Sequence, residues 1–306
     1  MKQPEKTMQD YESFMNKRKA GSATAEGMAM IRSTESTKPE GERICYDPYA
    51  IRFVRPEIIA HIWGQDPKNA EEARAVFERA FPGHRNSLLT RVRFFDDTVQ
   101  REIAGGMPQV VIIGAGFDSR AYRIEGIRNA RVFEVDQEET QVIKKDYVKQ
   151  IFGSLPSHVG YLPFDLREGS FIGALKGAGF DCSKKALFVM EGLIYYLPPP
   201  LVHILLEEIA WDTAPCSQIL FDYFPLSLVD GTHPSPVAQN IQRHVDSVGE
   251  PFLFGIPDGG VKEFLGSLGY RNIRDVKDRE YLDGLFPHES PATTTTGLLR
   301  FCHAET

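Results

Sequence analysis

The stretch VVIIGAGFDSRAY, residues 110–122, runs from four β-branched residues straight into two glycines and an aspartate. Gly114 and Gly116 permit positive φ and leave room for a ligand to lie against the backbone. The next apolar stretch, RVFEVD, ends in Asp136, twenty positions after Gly116, where a carboxylate can accept bonds from both hydroxyls of a ribose. Two later stretches also end on acids, PFD at Asp165 and FVME at Glu191. With Asp118 after the glycine turn, that makes four carboxylates following four successive apolar stretches. Such a rim suits an organic cation carrying a nucleoside better than a metal.

A strand, a glycine turn and a later acid also fit a dinucleotide such as NAD. That fingerprint calls for a third glycine three residues after the second, and it sets pyrophosphate at the start of the following helix. This chain has Ser119 there, and Asp118 would repel pyrophosphate. A carboxylate at that point favours the amino and sulfonium groups of S-adenosyl-L-methionine. A transferase using that cofactor is therefore the leading expectation; an NAD-dependent oxidoreductase and a non-catalytic cofactor-binding protein are the alternatives. A tight turn alone would also explain Gly114 and Gly116, and Asp165 could equally be the N-cap of the following helix. Glu191, close behind a buried strand, needs a cation, either Arg91 or the ligand.

Acceptor chemistry is less marked. Tyr195 and Tyr196 either line a substrate pocket or pack between strand and helix. A hydroxyl acceptor needs a base whereas a carboxylate does not; His203 and His244 lie on helical stretches and are the histidines to test. His158, His233 and His288 fall in loops, and no spacing of histidines or cysteines suggests a metal.

The elements that must hold these residues alternate. Strands are expected near 109–113, 131–135, 159–163, 186–190 and 218–222, with helices near 119–124, 137–152, 169–177 and 199–213 between them. Short apolar strands separated by helices predict an α/β fold with a parallel sheet covered on both faces. Upstream, Leu88, Leu89, Val92, Phe95, Val99 and Ile103 recur at three- and four-residue steps, an amphipathic helix over 87–104. ESTKPEGERICYDPYAIRFV contains two prolines and predicts a packed arm rather than a helix. Beyond Phe224 come a helix near 237–247, a helix over 260–268, a strand over 271–276 and a last strand in TGLLRFCHA. The loops 224–236 and 248–259 are lid candidates.

Composition narrows the class. A 306-residue chain with 42% hydrophobic and 25% charged residues is that of an ordinary globular protein. A formal charge of −7 argues against nucleic acid as partner. No apolar run reaches the roughly 18 residues of a membrane span, and residues 1–27 lack the apolar core of a signal peptide. Cys45, Cys182, Cys216 and Cys302 are far apart and read as free thiols, so a cytoplasmic location is expected.

VVIIGAGFDSRAYRI, FEVDQEETQVIKK, FDLRE and MEGLIYYLPP together resemble the leucine carboxyl methyltransferase family, particularly its bacterial branch of O-methyltransferases, some linked to polyketide pathways. YDPYAIRFV, LLTRVRFFDD and GEPFLFGI resemble that family's blocks too, so the likeness runs from about residue 28 to the end. It implies a class I methyltransferase: a Rossmann-like sheet, mostly parallel with the last strand antiparallel, a helical N-terminal arm and an insertion lid. The division expected is a flexible segment 1–27 followed by one domain, 28–306, with its arm at 28–85 and its lid at 224–259. By the same resemblance Arg91 holds the methionine carboxylate, and Gly114 and Gly116 let the cofactor lie on the first strand. Asp136 binds the ribose, Asp165 with Leu166 binds adenine, and Glu191 sits by the methionine amino group. A basic residue of the arm, Arg32, Lys38 or Arg43, touches the cofactor. The implied reaction is methyl transfer to a carboxylate or hydroxyl of a small-molecule or peptide acceptor.

Overall fold

The computed structural model describes residues 23–62, 67–285 and 294–306; His288 and residues 1–22 lie outside this set. The arm consists of α1 (Ala23–Ser36), a 3-10 turn (Ala50–Phe53), α2 (Pro56–Ile62) and α3 (Pro67–Ala80). Helix α1 thus begins inside the segment expected to be flexible. Between α1 and the turn the chain has no regular element. There Asp47 Oδ1 accepts the backbone N–H groups of Tyr49 and Ala50, each at 3.0 Å, closing the Asp-Pro turn. Helix α4 (His84–Ala104) starts three residues before the expected Ser87, after Gly83 in the left-handed region, and buries Leu89, Val92, Phe95 and Val99.

Strand and helix then alternate: β1 (Gln109–Ile113), α5 (Arg120–Arg123), β2 (Arg131–Asp136), α6 (Glu138–Phe152), β3 (Val159–Pro163), α7 (Phe171–Gly177), β4 (Ala186–Met190), α8 (Pro199–Asp212) and β5 (Gln218–Tyr223). Two helices, α9 (Leu226–Val229) and α10 (Pro236–Ser247), lie in the expected lid. The chain ends with α11 (Val261–Ser267), β6 (Arg271–Lys277), α12 (Asp278–Leu285) and β7 (Arg300–Glu305). The periodicity reading missed α12, because DREYLDGL is short and polar and buries only Asp278 and Leu282. Strand β7 begins later than TGLLRFCHA suggests; Leu298 and Leu299 are buried on the approach to it.

The seven strands form one sheet in the order β3-β2-β1-β4-β5-β7-β6. Five run parallel from β3 to β5, and β7 inserts antiparallel between β5 and β6. β1 and β4 read as unbroken apolar runs because both faces are covered. Val110, Ile112, Leu187 and Val189 pack with α4 and the arm, whereas Val111, Ile113, Phe188 and Met190 pack with α7, α8 and α11. The strand order reverses between β1 and β4. A crevice therefore opens at their carboxyl ends, where open α/β sheets bind ligands.

Phe188 is fully buried at the sheet centre, its ring 5.8 Å from that of Phe180. Phe188→Ala is expected to cost about 3–5 kcal/mol in chemical denaturation.

Candidate functional site

At the crevice lies a cavity of about 900 Å³ bounded by the β1 and β4 ends, the arm, α4 and the lid. Gly114 and Gly116 form its floor at φ +66° and +39°. A Cβ on Gly114 would stand 3.0 Å from Leu193 Cδ1, and one on Gly116 would stand 3.1 Å from the Ala25 methyl, so side chains at either position would be both strained and crowded. Asp136 closes the turn from the next strand. Its Oδ2 accepts the Gly116 N–H at 2.6 Å and its Oδ1 the Gln137 N–H at 2.7 Å. Burial raises its pKa against the pull of those two donors. No ion pair to Asp136 is found among the described residues.

The other rim acids are held by guanidinium groups. Arg91, from the middle of α4, donates from Nε to Glu191 and from Nη1 to Tyr195 Oη and Asp222, all at 3.0 Å. Its Nη2 reaches the Met28 sulfur, at 3.6 Å. Arg120, at the start of α5, donates to Asp96 at 2.7 Å, to Asp118 at 2.6 Å and to Glu191. Burial would raise Asp118 and Glu191; the guanidinium of Arg120 outweighs it, lowering Asp118 to about 2, and with Arg91 it lowers Glu191 as well. Burial does prevail at Asp222, whose pKa is raised despite Arg91. Arg91, Asp96, Arg120 and Asp222 are buried and Asp118 and Glu191 partly so, and the network is worth far more intact than broken.

Ser119 takes the place of a third glycine because its hydroxyl is needed: it donates to Asp47 Oδ2 at 2.7 Å and accepts from Arg123 at 2.8 Å. Arg32 joins the same knot, donating to Asp47 at 2.9 Å and to the Phe117 carbonyl at 2.6 Å. Of the three basic arm residues, Arg32 lines the cavity. Lys38 pairs with Glu35, and Arg43 stacks on Tyr46 at a smaller pocket.

Arg91, Gly114, Gly116, Asp136 and Glu191 therefore converge on one cavity, along with Tyr195 and Tyr196. Asp165 and Leu166 do not line it. β3 is the outermost strand, and after it the chain turns back on itself: the Asp165 carboxylate accepts the Arg167 backbone and guanidinium N–H groups at 2.9 Å. Leu166 packs against the core below the sheet. Nor is Asp165 a helix cap, since Ser170 caps α7. Tyr195 is buried among Tyr196, Phe224 and Phe252 and also lines the cavity beside Arg91. His203 packs edge-on against Phe264, 5.1 Å away, and does not line the cavity. His244 does line it. His84, which periodicity did not single out, does so too. Among the described residues no three His, Cys, Asp or Glu side chains are grouped to hold a metal ion.

The donor set fits S-adenosyl-L-methionine. Asp136 has no ion pair among the described residues and suits a ribose diol, and Asp118 and Glu191 carry the charge that suits cationic groups. Asp136→Asn should weaken binding of S-adenosyl-L-methionine and S-adenosylhomocysteine by about 10–100-fold in calorimetry, the usual worth of a hydrogen bond to a charged group. Arg91→Met should cost about 3–5 kcal/mol in chemical denaturation by orphaning buried Asp222. Adding Asp222→Asn should recover part of that loss, since the orphaned charge is then gone.

A family model for leucine carboxyl methyltransferase matches residues 25–210. A provisionally named S-adenosyl-L-methionine-dependent methyltransferase of Frankia alni is 34% identical over 61% of this chain and 63% of its own length. One from Mycobacterium avium, named in the same way, is 31% identical over 81% of this chain and 82% of its own. A methyltransferase structure from Thermobifida fusca, also provisionally named, superposes with a TM-score of 0.58 at 16% identity, covering 81% of this chain and 92% of its own, and shares the fold. The chain thus belongs to the leucine carboxyl methyltransferase family and is an S-adenosyl-L-methionine-dependent methyltransferase.

Proposed function

We propose that the methyl acceptor is an oxygen, hydroxyl or carboxylate, of a largely apolar small molecule. The observation that carries this reading is the two-part character of the cavity. Its floor bears the glycine turn and the charged rim. Its upper part is lined by Phe77, Phe81 and Leu88 of the α3–α4 region, Tyr196 after β4, and Phe224, Ile241 and Phe252 of the lid. A lining of aromatic and aliphatic side chains with few polar groups is what an apolar ligand of modest size requires.

When bound, the cofactor supplies a methyl group already made electrophilic by its sulfonium. The protein's task is then to align an acceptor oxygen and keep water away. The lid is tied to the floor for this purpose. Leu253 N–H donates to the Tyr195 carbonyl at 2.7 Å, and the Thr24 hydroxyl of α1 donates to Glu250 at 2.6 Å, joining arm and lid across the cavity. Arg91 sets the floor by holding Glu191 and Tyr195 together. An acceptor entering between α1 and α10 would meet the rim with its polar end and the aromatic lining with its body.

Label from methyl-tritiated S-adenosyl-L-methionine should pass to members of a panel of phenols and aryl carboxylic acids. Amines and thiols of matched shape should take none. Label appearing only on nitrogen or sulfur would defeat the reading.

A further inference from the structure

His84 is the first residue of α4 and sits in the upper, apolar part of the cavity. Its ring lies 6.2 Å from those of Phe77 and Phe81, stacked on the former and edge-on to the latter. In this setting its Nδ1 is buried and has no hydrogen-bond partner among the described residues. A buried polar atom without a partner costs roughly 1–3 kcal/mol, so its persistence inside a ligand cavity points to a partner that arrives with the ligand. The other titratable or charged groups lining the cavity are Arg91 on the same helix, Arg32 on α1, Arg120 and Arg123 on α5, Tyr195 and Tyr196 after β4, His244 on α10, Glu250 in the lid and the rim acids Asp118, Asp136 and Glu191. The four arginines are committed to Asp47, Asp96, Asp118, Glu191 and Asp222, and Asp136 to two backbone N–H groups. His244 packs its ring 5.0 Å from that of Phe81.

We propose that His84 Nδ1 receives the proton of a hydroxyl acceptor, so that the substrate is an apolar phenol or alcohol rather than a carboxylic acid. This rests on the oxygen-acceptor reading above and narrows it. The electron count is simple. The acceptor oxygen forms its bond to the methyl carbon as the carbon–sulfur bond breaks, the sulfur keeps that electron pair, and the O–H proton passes to Nδ1 of an imidazole carrying its hydrogen on Nε2. Burial and then the neighbouring Arg91 charge push the His84 pKa down to about 3, so the ring is neutral at pH 7 but a weak base, and it takes the proton only as the methyl bond forms and the attacking oxygen becomes strongly acidic. A carboxylate acceptor, already ionised, has no proton to give and needs no base.

Two probes and two variants test this. With no cofactor present, 2-naphthol should bind the wild-type protein about tenfold more tightly in calorimetry than 2-methoxynaphthalene, which lacks the donor. His84→Phe, an apolar replacement among phenylalanines, should abolish that preference, and His84→Gln, whose amide oxygen still accepts, should keep it. In turnover, His84→Phe should slow methylation of 2-naphthol by about 100-fold or more. It should slow 4-nitrophenol, largely ionised in mildly alkaline solution without help, only a fewfold. His84→Gln should not restore the 2-naphthol rate, because an amide takes no proton.

Equal losses on both phenols, or a split that follows His244→Phe instead, would overturn the assignment. Methylation of aryl carboxylic acids with none of phenols would also overturn it while sparing the oxygen-acceptor reading. Transfer only to nitrogen or sulfur would remove both.

Discussion

The site depends on an electrostatic constraint: several carboxylates are gathered where the strand order reverses, and a crowd of like charges cannot be buried unless cations are built in among them. Arg91 and Arg120 meet that requirement from opposite sides of Glu191. Each also satisfies a second acid, Asp222 for Arg91 and Asp118 for Arg120, and among the described residues neither of these two has another ion pair, so removing either guanidinium orphans one of them. The network therefore both ties α4, α5 and the β4 and β5 ends together and leaves the cavity floor polar. Asp136 stands outside it, bonded to two backbone N–H groups, and this frees it to meet a neutral diol.

A second layer of polar contacts joins the arm to the same floor. Asp47 receives Arg32 from α1, Ser119 from the glycine turn and Arg123 from α5, at 2.9, 2.7 and 3.8 Å. Below the turn, buried Lys144 pairs with Glu134 at 2.9 Å and donates to the Ala115 carbonyl at 3.2 Å. The glycine turn is thus clamped from the arm side and from α6. This explains how two glycines, the least constrained residues of the chain, can hold a defined surface.

Much of this was legible in the sequence. β1 to β5 and the helices between them lie within a residue or two of their expected bounds, because burial on both faces demands short apolar strands and the helices show their own period. The acids at strand ends were equally plain, since a strand's carboxyl end is visible as the point where apolar residues stop. Pairing was legible only in part. Glu191 called for a cation, Arg91 or the ligand, and Arg91 holds it from a hundred positions away, whereas Asp222 and Asp96 carry no local signal that they face an arginine. Asp165 shows the converse failure: its place at a strand end was right, but an arginine two residues on captures the side chain locally. Ser119 was read only as a missing glycine, when its hydroxyl is one of the bonds that seat the arm.

Histidines were harder still. His203 and His244 drew attention as helical histidines, yet helical position says nothing about which face is lined. His84 stands at a helix start after Gly83, where periodicity has not begun, and only the packing of α3 and the lid around it creates its surroundings. The charged floor depends on bonds among the sheet, α4 and α5 with Arg32 and Asp47 behind them, whereas the apolar lining proposed for the acceptor comes largely from the α3–α4 region and the lid. Substitutions in the arm and lid can therefore change what is bound while leaving the rim intact, whereas substitutions in the rim disturb stability and cofactor binding together. That asymmetry allows a single scaffold to keep one cofactor and exchange acceptors, and it is why the acceptor is the part of the chemistry that sequence blocks convey least.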